Sequence, residues 1–451
     1  MKATLMRSVS GLRGIVGESL LPEVIVNHIA AFAHTLESDL VVVGRDSRVS
    51  GPFVMNLVKG TFAAMGKKVI EIGIVPTPTV QLMVEQLHAG GGIAITASHN
   101  PVQWNGLKFI GSDGLFLPPE KIQRVFDLAD KKEFQFVAYE QLKEQEIYEK
   151  AVRDHIEKIM ELPYVSHEMV KEKKFKVVVD TVNGAGGTII PALLEEFGCQ
   201  VITLNQEPTG LFAHTPEPLP ENLKELSDTV IKEKADFGIA VDPDVDRCAL
   251  VDNHGVPLGE EYTLAIAVKC ILSKKLGPVV VNLSTSRVIE DIVIYYNSIL
   301  HRTPVGEIHV AKKMEEIGAV VGGEGNGGVI LPDIHLGRDA PVAVALTLQL
   351  LAESGMTMEE LKNSFPQYYI VKDKMNVDQV DPDRILAHFK QKFAGERLSE
   401  LDGLRIDLAD HWIHLRKSNT EPIIRIMVEA GDAGKAQQIA ESIKQEIQTL
   451  N

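Results

Sequence analysis

The sequence predicts an α/β fold, with three related mixed-sheet α/β domains followed by a smaller α+β C-terminal domain. Three observations carry this expectation. Short β-branched runs at Val41–Val43, Val177–Val179 and Val279–Val281 each lead straight into a polar or glycine-containing turn: Gly44-Arg45-Asp46, Asp180-Thr181-Val182-Asn183-Gly184 and Asn282-Leu283-Ser284-Thr285. A second apolar run follows each one and also ends in such a loop: Ile93–Ile95 before 96–101, Phe237–Val241 before 242–247, and Ala319–Val321 before 322–328. The chain of 451 residues is too long for one ordinary hydrophobic core.

Continuous β-branched runs suit strands buried on both faces of a parallel sheet. Helical stretches at 51–65, 187–197 and 257–274 lie between them. The runs begin at 41, 177 and 279, too far apart for a solenoid repeat, so whole domains recur. Their loops then emerge at the carboxyl ends of strands, where open α/β sheets bind ligands. The last part differs: a linker near Asp373–Pro382, two short strands at 404–408 and 423–429, and a final amphipathic helix with Ile439, Ile443, Ile447 and Leu450 on one face. The expected domains are 1–150, 151–253, 254–368 and 369–451.

Composition narrows the function. The hydrophobic fraction is 45% and the charged fraction 24%, which indicates a folded globular chain. The formal charge of -16 argues against nucleic acid and anionic membranes as partners, and leaves room for a small phosphorylated ligand in a locally basic pocket. Cys199, Cys248 and Cys270 have neither metal-ligand spacing nor a disulfide framework and read as reduced thiols. No secretory signal and no membrane-length apolar run is expected, so the protein is expected in the cytoplasm.

Four loops carry candidate chemistry. Asp242-Pro243-Asp244-Val245-Asp246-Arg247 places three carboxylates at alternate positions, which an extended segment turns to one side. Oxygen ligands of this kind suit a hard cation such as Mg2+, and the cation removes their mutual repulsion; the other reading is a solvated acidic turn. Thr96-Ala97-Ser98-His99-Asn100-Pro101 exposes a hydroxyl, with Lys108 able to return toward it. Ser98 is either a nucleophile or an ordinary turn residue; no G-x-S-x-G elbow surrounds it, and an adjacent His99 does not make a hydrolase. Gly322–Gly328 offers Glu324 and Asn326 to sugar hydroxyls, or is simply a flexible loop without a dinucleotide fingerprint. Arg416-Lys417-Ser418-Asn419-Thr420-Glu421-Pro422, followed by Arg425, reads as a phosphate clamp or as a solvated turn. No Walker A sequence is present.

Taken in order, these loops resemble the α-D-phosphohexomutase superfamily over nearly the whole chain. The resemblance rests on Ser10-Gly11-Leu12-Arg13-Gly14, Gly44-Arg45-Asp46-Ser47-Arg48, TASHNP at 96–101, DPDVDR at 242–247, GEGNGG at 323–328 and RKSNTEP at 416–422. It implies four domains around a central cleft: a phosphoserine-bearing domain, a metal-binding domain, a sugar-binding domain and a C-terminal phosphate-binding domain. It implies a phosphoserine at Ser98 and Mg2+ held by Ser98, Asp242, Asp244 and Asp246. Sugar contacts are implied at Glu324, and distal-phosphate contacts at Arg416, Ser418, Asn419, Thr420 and Arg425. Arg13, Lys108 and Arg247, with His99, are implied as electrostatic or proton-transfer groups. It implies a reaction through a sugar 1,6-bisphosphate, which would also serve as activator, with small sugar phosphates as partners; a monomer or homodimer is expected.

The sugar loop departs from the family pattern. Many glucose- and mannose-processing members carry Ser after GE-x and His two residues further on, where this chain has Asn326 and Gly328. Lys108 or His309 is then expected to compensate, or the accepted sugar differs. Glu307, where many such members have a nearby His, favours an amino sugar by charge pairing. The expected reaction is therefore the interconversion of hexosamine 6- and 1-phosphates, glucosamine preferred. SNTEP pulls toward glucose and mannose phosphates, the alternative substrates. A second alternative is a sugar-phosphate-binding protein without catalysis.

Overall fold

The computed structural model describes residues 4–377, 381–417 and 423–450. Among these residues the strands form four sheets, one for each expected unit. The first is seven-stranded. Leu40–Arg45 pairs in parallel with Lys68–Ile74 on one side and Gly91–Ile95 on the other, and the antiparallel strand Trp104–Gly111 then continues the sheet. The second sheet repeats this plan with Lys176–Asp180, Phe237–Val241 and antiparallel Cys248–Val251. The third repeats it with Val279–Asn282, Val321–Glu324 and antiparallel Gly328–Leu331. In all three, the strand lying between a parallel and an antiparallel neighbour leads directly into a candidate loop. That is the position where a sheet's connections diverge and leave a crevice at the strand ends.

The three Val runs lie wholly buried in their strands, as continuous β-branched segments in parallel sheets should. Helices Gly51–Ala64, Gly186–Glu196 and Glu260–Leu272 match the expected helical stretches to within a turn. Units two and three share one continuous apolar cluster from Ile156 to Phe365. Through it, helices Glu260–Leu272 and Ala340–Ser354 are buried along almost their whole length.

The C-terminal unit is richer in strands than the sequence suggested. Tyr369–Asn376, Ile423–Ala430, His411–Lys417, Leu404–Asp407 and Arg397–Ser399 form an antiparallel sheet in that order. The linker expected near Asp373–Pro382 is largely not a linker, because Tyr369–Asn376 pairs with Ile423–Ala430 through Asn376 and a helix begins at Pro382. Its alternation of charged and apolar residues (Lys372, Lys374 against Val371, Met375) is the pattern of a half-exposed edge strand. The final helix, Ala433–Gln448, packs Ile443 and Ile447 against this sheet.

Helix Thr77–Gln86 ties the units together. Its Thr77 hydroxyl donates to Asp244 of the second unit at 2.7 Å, Thr79 meets His155 at 2.9 Å, and Gln81 donates to Glu307 of the third unit at 3.3 Å. His155 in turn shares Asp339 with His335. The fourth unit is fastened to the third: Arg405 donates to the Leu283 carbonyl, Glu429 accepts from the Arg287 amide, and Val305 N donates to Asp402.

Candidate active site

Ser98 follows strand Gly91–Ile95 in a left-handed conformation, φ +50°, which a residue with a Cβ adopts at a cost. The surrounding hydrogen bonds hold it there. Ser98 N donates to Thr96 Oγ1 at 2.8 Å, and that hydroxyl donates to Asp46 at 2.6 Å. Arg48, fully buried, pairs with Asp46 and donates to the carbonyls of Ser98, Asn100, Pro101 and Trp104 at 2.5–2.9 Å. One guanidinium thus organises the whole turn and aims the Ser98 hydroxyl at Asp242 Oδ2, 3.2 Å away. His99 Nδ1 lies 3.3 Å from the same hydroxyl.

Asp242, Asp244 and Asp246 converge as expected, but not by strand alternation. Residues 242–247 form a turn in which Val245 has φ +62°, and this reversal gathers the carboxylates until their ligand atoms all lie within 4.8 Å. All three are buried. Lys108 Nζ donates to Asp244 at 2.6 Å and to Asp246 at 2.9 Å, and Arg338 donates to Asp246 at 2.7 Å. Burial would raise Asp246, but Arg338, Lys108 and Arg247 outweigh it and hold the carboxyl well below its ordinary range. Asp242 is pushed well above that range by burial and by the charges of Asp246 and Asp244. Among the described residues, Asp244 Oδ1 and Asp246 Oδ1 have no hydrogen-bond partner, though Arg247 Nε stands 3.8 Å from the latter. Buried carboxylate oxygens without partners are costly, and a divalent cation satisfies them.

The Gly322–Gly328 segment, expected as a sugar-contacting loop, is a tight hairpin, Val321–Glu324 returning as Gly328–Leu331. Glu324 stands at its bend: Oε1 accepts from Asn282 at 2.7 Å and Gly306 N at 2.9 Å, and Oε2 accepts from Arg338 at 3.0 Å. Asn326 lines the same space. Glu307, expected to favour an amino sugar by charge pairing, accepts from Arg338 at 2.9 Å and from Gln81. His309 sits half-buried on the same helix and is not among the cavity-lining residues.

In the fourth unit, Arg416 closes strand His411–Lys417 and stands directly opposite Arg425 on Ile423–Ala430. Like charges opposed across strands destabilise a sheet, and a phosphate relieves that repulsion. Asp402 accepts from Arg416 Nε at 2.8 Å. Ser418, Asn419 and Thr420 lie outside the described residues.

These parts surround a cavity of about 340 Å³. Arg13, Lys108, Arg247, Arg338, Lys372, Arg416 and Arg425 line it, opposed by Glu307 and Glu324, so a chain of charge -16 concentrates positive charge here. His99 lines it too; burial together with Arg247 and Arg13 pushes its imidazole down to about 2. Arg13 donates to Asn100, and Arg247 to Glu217. Sequence reasoning missed Arg338, Lys372 and His414 on this wall, and the loop-setting role of Arg48. Arg338 carried one faint signal: it directly precedes Asp339, the N-cap of helix Ala340–Ser354, at the mouth of a strand.

Three α/β units with equivalent loops, closed by a fourth unit over a basic cavity, define a phosphohexomutase: the chain belongs to the α-D-phosphohexomutase superfamily. Residues 5–136, 153–255 and 259–369 match the families described as phosphoglucomutase/phosphomannomutase alpha/beta/alpha domains I, II and III, and 369–446 match its C-terminal domain. The chain is 37% identical over 434 residues to a probable phosphoglucosamine mutase of Methanopyrus kandleri, covering 95% of each. It is equally 37% identical over 440 residues to a phosphoglucomutase/phosphomannomutase of Thermococcus kodakarensis, covering 96% of each. A crystal structure of a phosphoglucomutase/phosphomannomutase family protein from Burkholderia thailandensis shares the fold, with TM-score 0.85 at 24% identity over 98% of each chain.

Proposed function

We propose that this chain transfers a phosphoryl group between O6 and O1 of a hexosamine phosphate, glucosamine preferred, through a phosphoserine at Ser98 and a sugar 1,6-bisphosphate. The observation that carries the reading is the Ser98 hydroxyl aimed at a buried triad of carboxylates with two unpartnered oxygens, beside a cavity whose C-terminal wall bears the opposed pair Arg416 and Arg425. In the first transfer the bond between phosphorus and Ser98 Oγ breaks as one forms to a sugar oxygen, whose proton leaves, and Ser98 Oγ takes up a proton. The second transfer reverses this at the other end of the sugar.

Asp242, Asp244, Asp246 and a Ser98 phosphate oxygen are the groups that would hold Mg2+, which when bound neutralises charge on the transferring phosphoryl group. The protein's own groups do the rest. Lys108 and Arg247 supply fixed positive charge at the serine end, where burial strengthens their effect. His99 Nδ1, beside the Ser98 hydroxyl, serves as a neutral contact that orients it. Glu324 and Asn326 read the sugar, and Arg416 with Arg425 hold the phosphate not being transferred.

Mass spectrometry of the active protein should find phosphate on Ser98, and Ser98→Ala should lose turnover by orders of magnitude. A fully active Ser98→Ala protein sinks the mechanism. Binding of sugar phosphates without exchange in a phosphorylated, metal-loaded sample would favour a non-catalytic binder.

One observation favours glucose or mannose phosphate instead: Glu307 is bound to Arg338 rather than free to meet an ammonium group. A panel of glucosamine, N-acetylglucosamine, glucose and mannose 1- and 6-phosphates decides, each with its bisphosphate where obtainable. A higher kcat/KM for glucose or mannose phosphate reverses the assignment.

A further inference from the structure

We propose that Arg338 is a positioning residue of the sugar subsite, locking the Glu324 carboxylate to the acidic loop, and that Gly328 is required because its missing side chain admits that arginine. The inference rests on the sugar-phosphate reading above and identifies what fixes the sugar-facing group.

Arg338 draws together three segments that are far apart in the sequence. Its Nη2 donates to Asp246 in the acidic turn at 2.7 Å, its Nε to Glu307 at the start of helix Glu307–Ile317 at 2.9 Å, and its Nη1 to Glu324 on the hairpin at 3.0 Å. A planar guanidinium can serve three carboxylates in fixed directions, which a lysine ammonium on a flexible stem does not reproduce. Glu324 Oε1 is already occupied by Asn282 and Gly306. Arg338 takes one acceptor direction of Oε2, so it decides which remaining direction faces the cavity that both residues line.

Gly328 has an ordinary backbone conformation, so it is not needed for left-handed φ. A Cβ built there would stand 2.3 Å from Arg338 Cδ and 2.9 Å from Cγ. Those carbons belong to a side chain anchored at three points, so it cannot swing aside without breaking the fork. Any side chain at 328 and the Arg338 fork therefore exclude one another. This accounts for a sugar hairpin that carries glycine where a bulkier group would otherwise reach the sugar.

The test is a mutant cycle of Arg338→Ala, Gly328→Ala and the double variant. For each, calorimetry gives Kd for glucosamine 6-phosphate, glucose 6-phosphate, mannose 6-phosphate and inorganic phosphate, and steady-state kinetics gives kcat and KM. Arg338→Ala should weaken sugar-phosphate binding about tenfold or more, raise KM more than it lowers kcat, and shrink the discrimination between glucose and mannose phosphates. Inorganic phosphate, held by the fourth unit, should bind as in the wild type. Gly328→Ala should reproduce this pattern, and the double variant should be no worse than either single one, because both act through one fork. Unchanged sugar affinity and discrimination in Arg338→Ala overturns the proposal. So do effects of the two substitutions that simply multiply. If Arg338→Ala loses inorganic phosphate binding as well, it has misfolded, and Gly328→Ala carries the test alone. A wild-type protein inert toward every sugar phosphate overturns the functional reading and this inference together. An active wild type with an indifferent Arg338 overturns this inference only.

Discussion

Replacing Glu261 by Gln should make the protein less sensitive to alkaline pH, by an amount the structure sets. Glu261 lies on helix Glu260–Leu272 directly beneath the sugar hairpin: a Cβ at Gly325 would sit 2.2 Å from its Oε1. It accepts from Ser286 N at 3.0 Å, while Oε1 has no hydrogen-bond partner among the described residues. Burial pushes its carboxyl from 4.5 up to about 8, with Lys372 and the Ser286 amide pulling the other way. A carboxyl raised in the folded state favours the protonated form. Its contribution is fully present below the unfolded value near 4.5 and is lost as pH rises through about 8. Within that window the wild type loses about 1.4 kcal/mol per pH unit from this group. The amide of Gln bears no charge and avoids that loss. Its NH2 gains no obvious acceptor, a cost of about 1–3 kcal/mol that does not change with pH. Urea midpoints followed by circular dichroism at pH 5.5, 6.5 and 7.5 should therefore show Glu261→Gln gaining on the wild type by about 2–3 kcal/mol across the series, whatever the offset. A difference that stays constant with pH refutes the reasoning.

Other outcomes follow from the same geometry. Chelation should abolish turnover and Mg2+ restore it, and Asp244→Asn should resist restoration; a chelated protein at full activity would contradict the carboxylate assignment. Arg48→Lys keeps a charge but strands several of the four carbonyls that Arg48 serves, each worth about 1–3 kcal/mol. Turnover should fall at least about tenfold with a lower melting temperature, and wild-type behaviour in both would refute the clamp. Arg425→Gln relieves its cross-strand repulsion with Arg416, so calorimetry should record weaker sugar-bisphosphate binding while thermal melting records a stability unchanged or raised by about 0.2–1 kcal/mol. Tighter binding would count against the clamp.

Much of this architecture was legible because it is local. Val41–Val43, Val177–Val179 and Val279–Val281 announce buried parallel strands by their composition, and the turns that follow announce where ligand loops emerge. Elements of mixed polarity were harder. His411–Lys417 buries Trp412 and His414 on one side while ending in Arg416 and Lys417, and Tyr369–Asn376 alternates charge with apolar residues at an edge. Neither reads as a plain apolar run. The acidic triad was recognised through its spacing, yet it converges through the left-handed turn at Val245, which spacing does not reveal. The roles of Arg48 and Arg338 were hidden for a different reason. Each is a single arginine whose meaning depends on carbonyls or carboxylates brought to it from distant segments, and one sequence does not record that convergence.

Helix Thr77–Gln86 has a mechanical consequence. By bonding to Asp244, His155 and Glu307 it joins the serine-bearing unit to the acidic turn, to helix Ala151–Met160 and to helix Glu307–Ile317. The opposed arginines belong to the fourth unit, which, among the described residues, the hydrogen bonds described above fasten to the third. On the proposed mechanism, a bisphosphate turning end for end needs the grip at one end to slacken while the geometry around Ser98 holds. That mechanism is met if the serine end stays fixed and the fourth unit yields. Hydrogen exchange should then find the 77–86 amides among the slowest in the chain and largely indifferent to ligand. Protection gained on binding a sugar phosphate should concentrate in strands His411–Lys417 and Ile423–Ala430 and at the third-to-fourth seam.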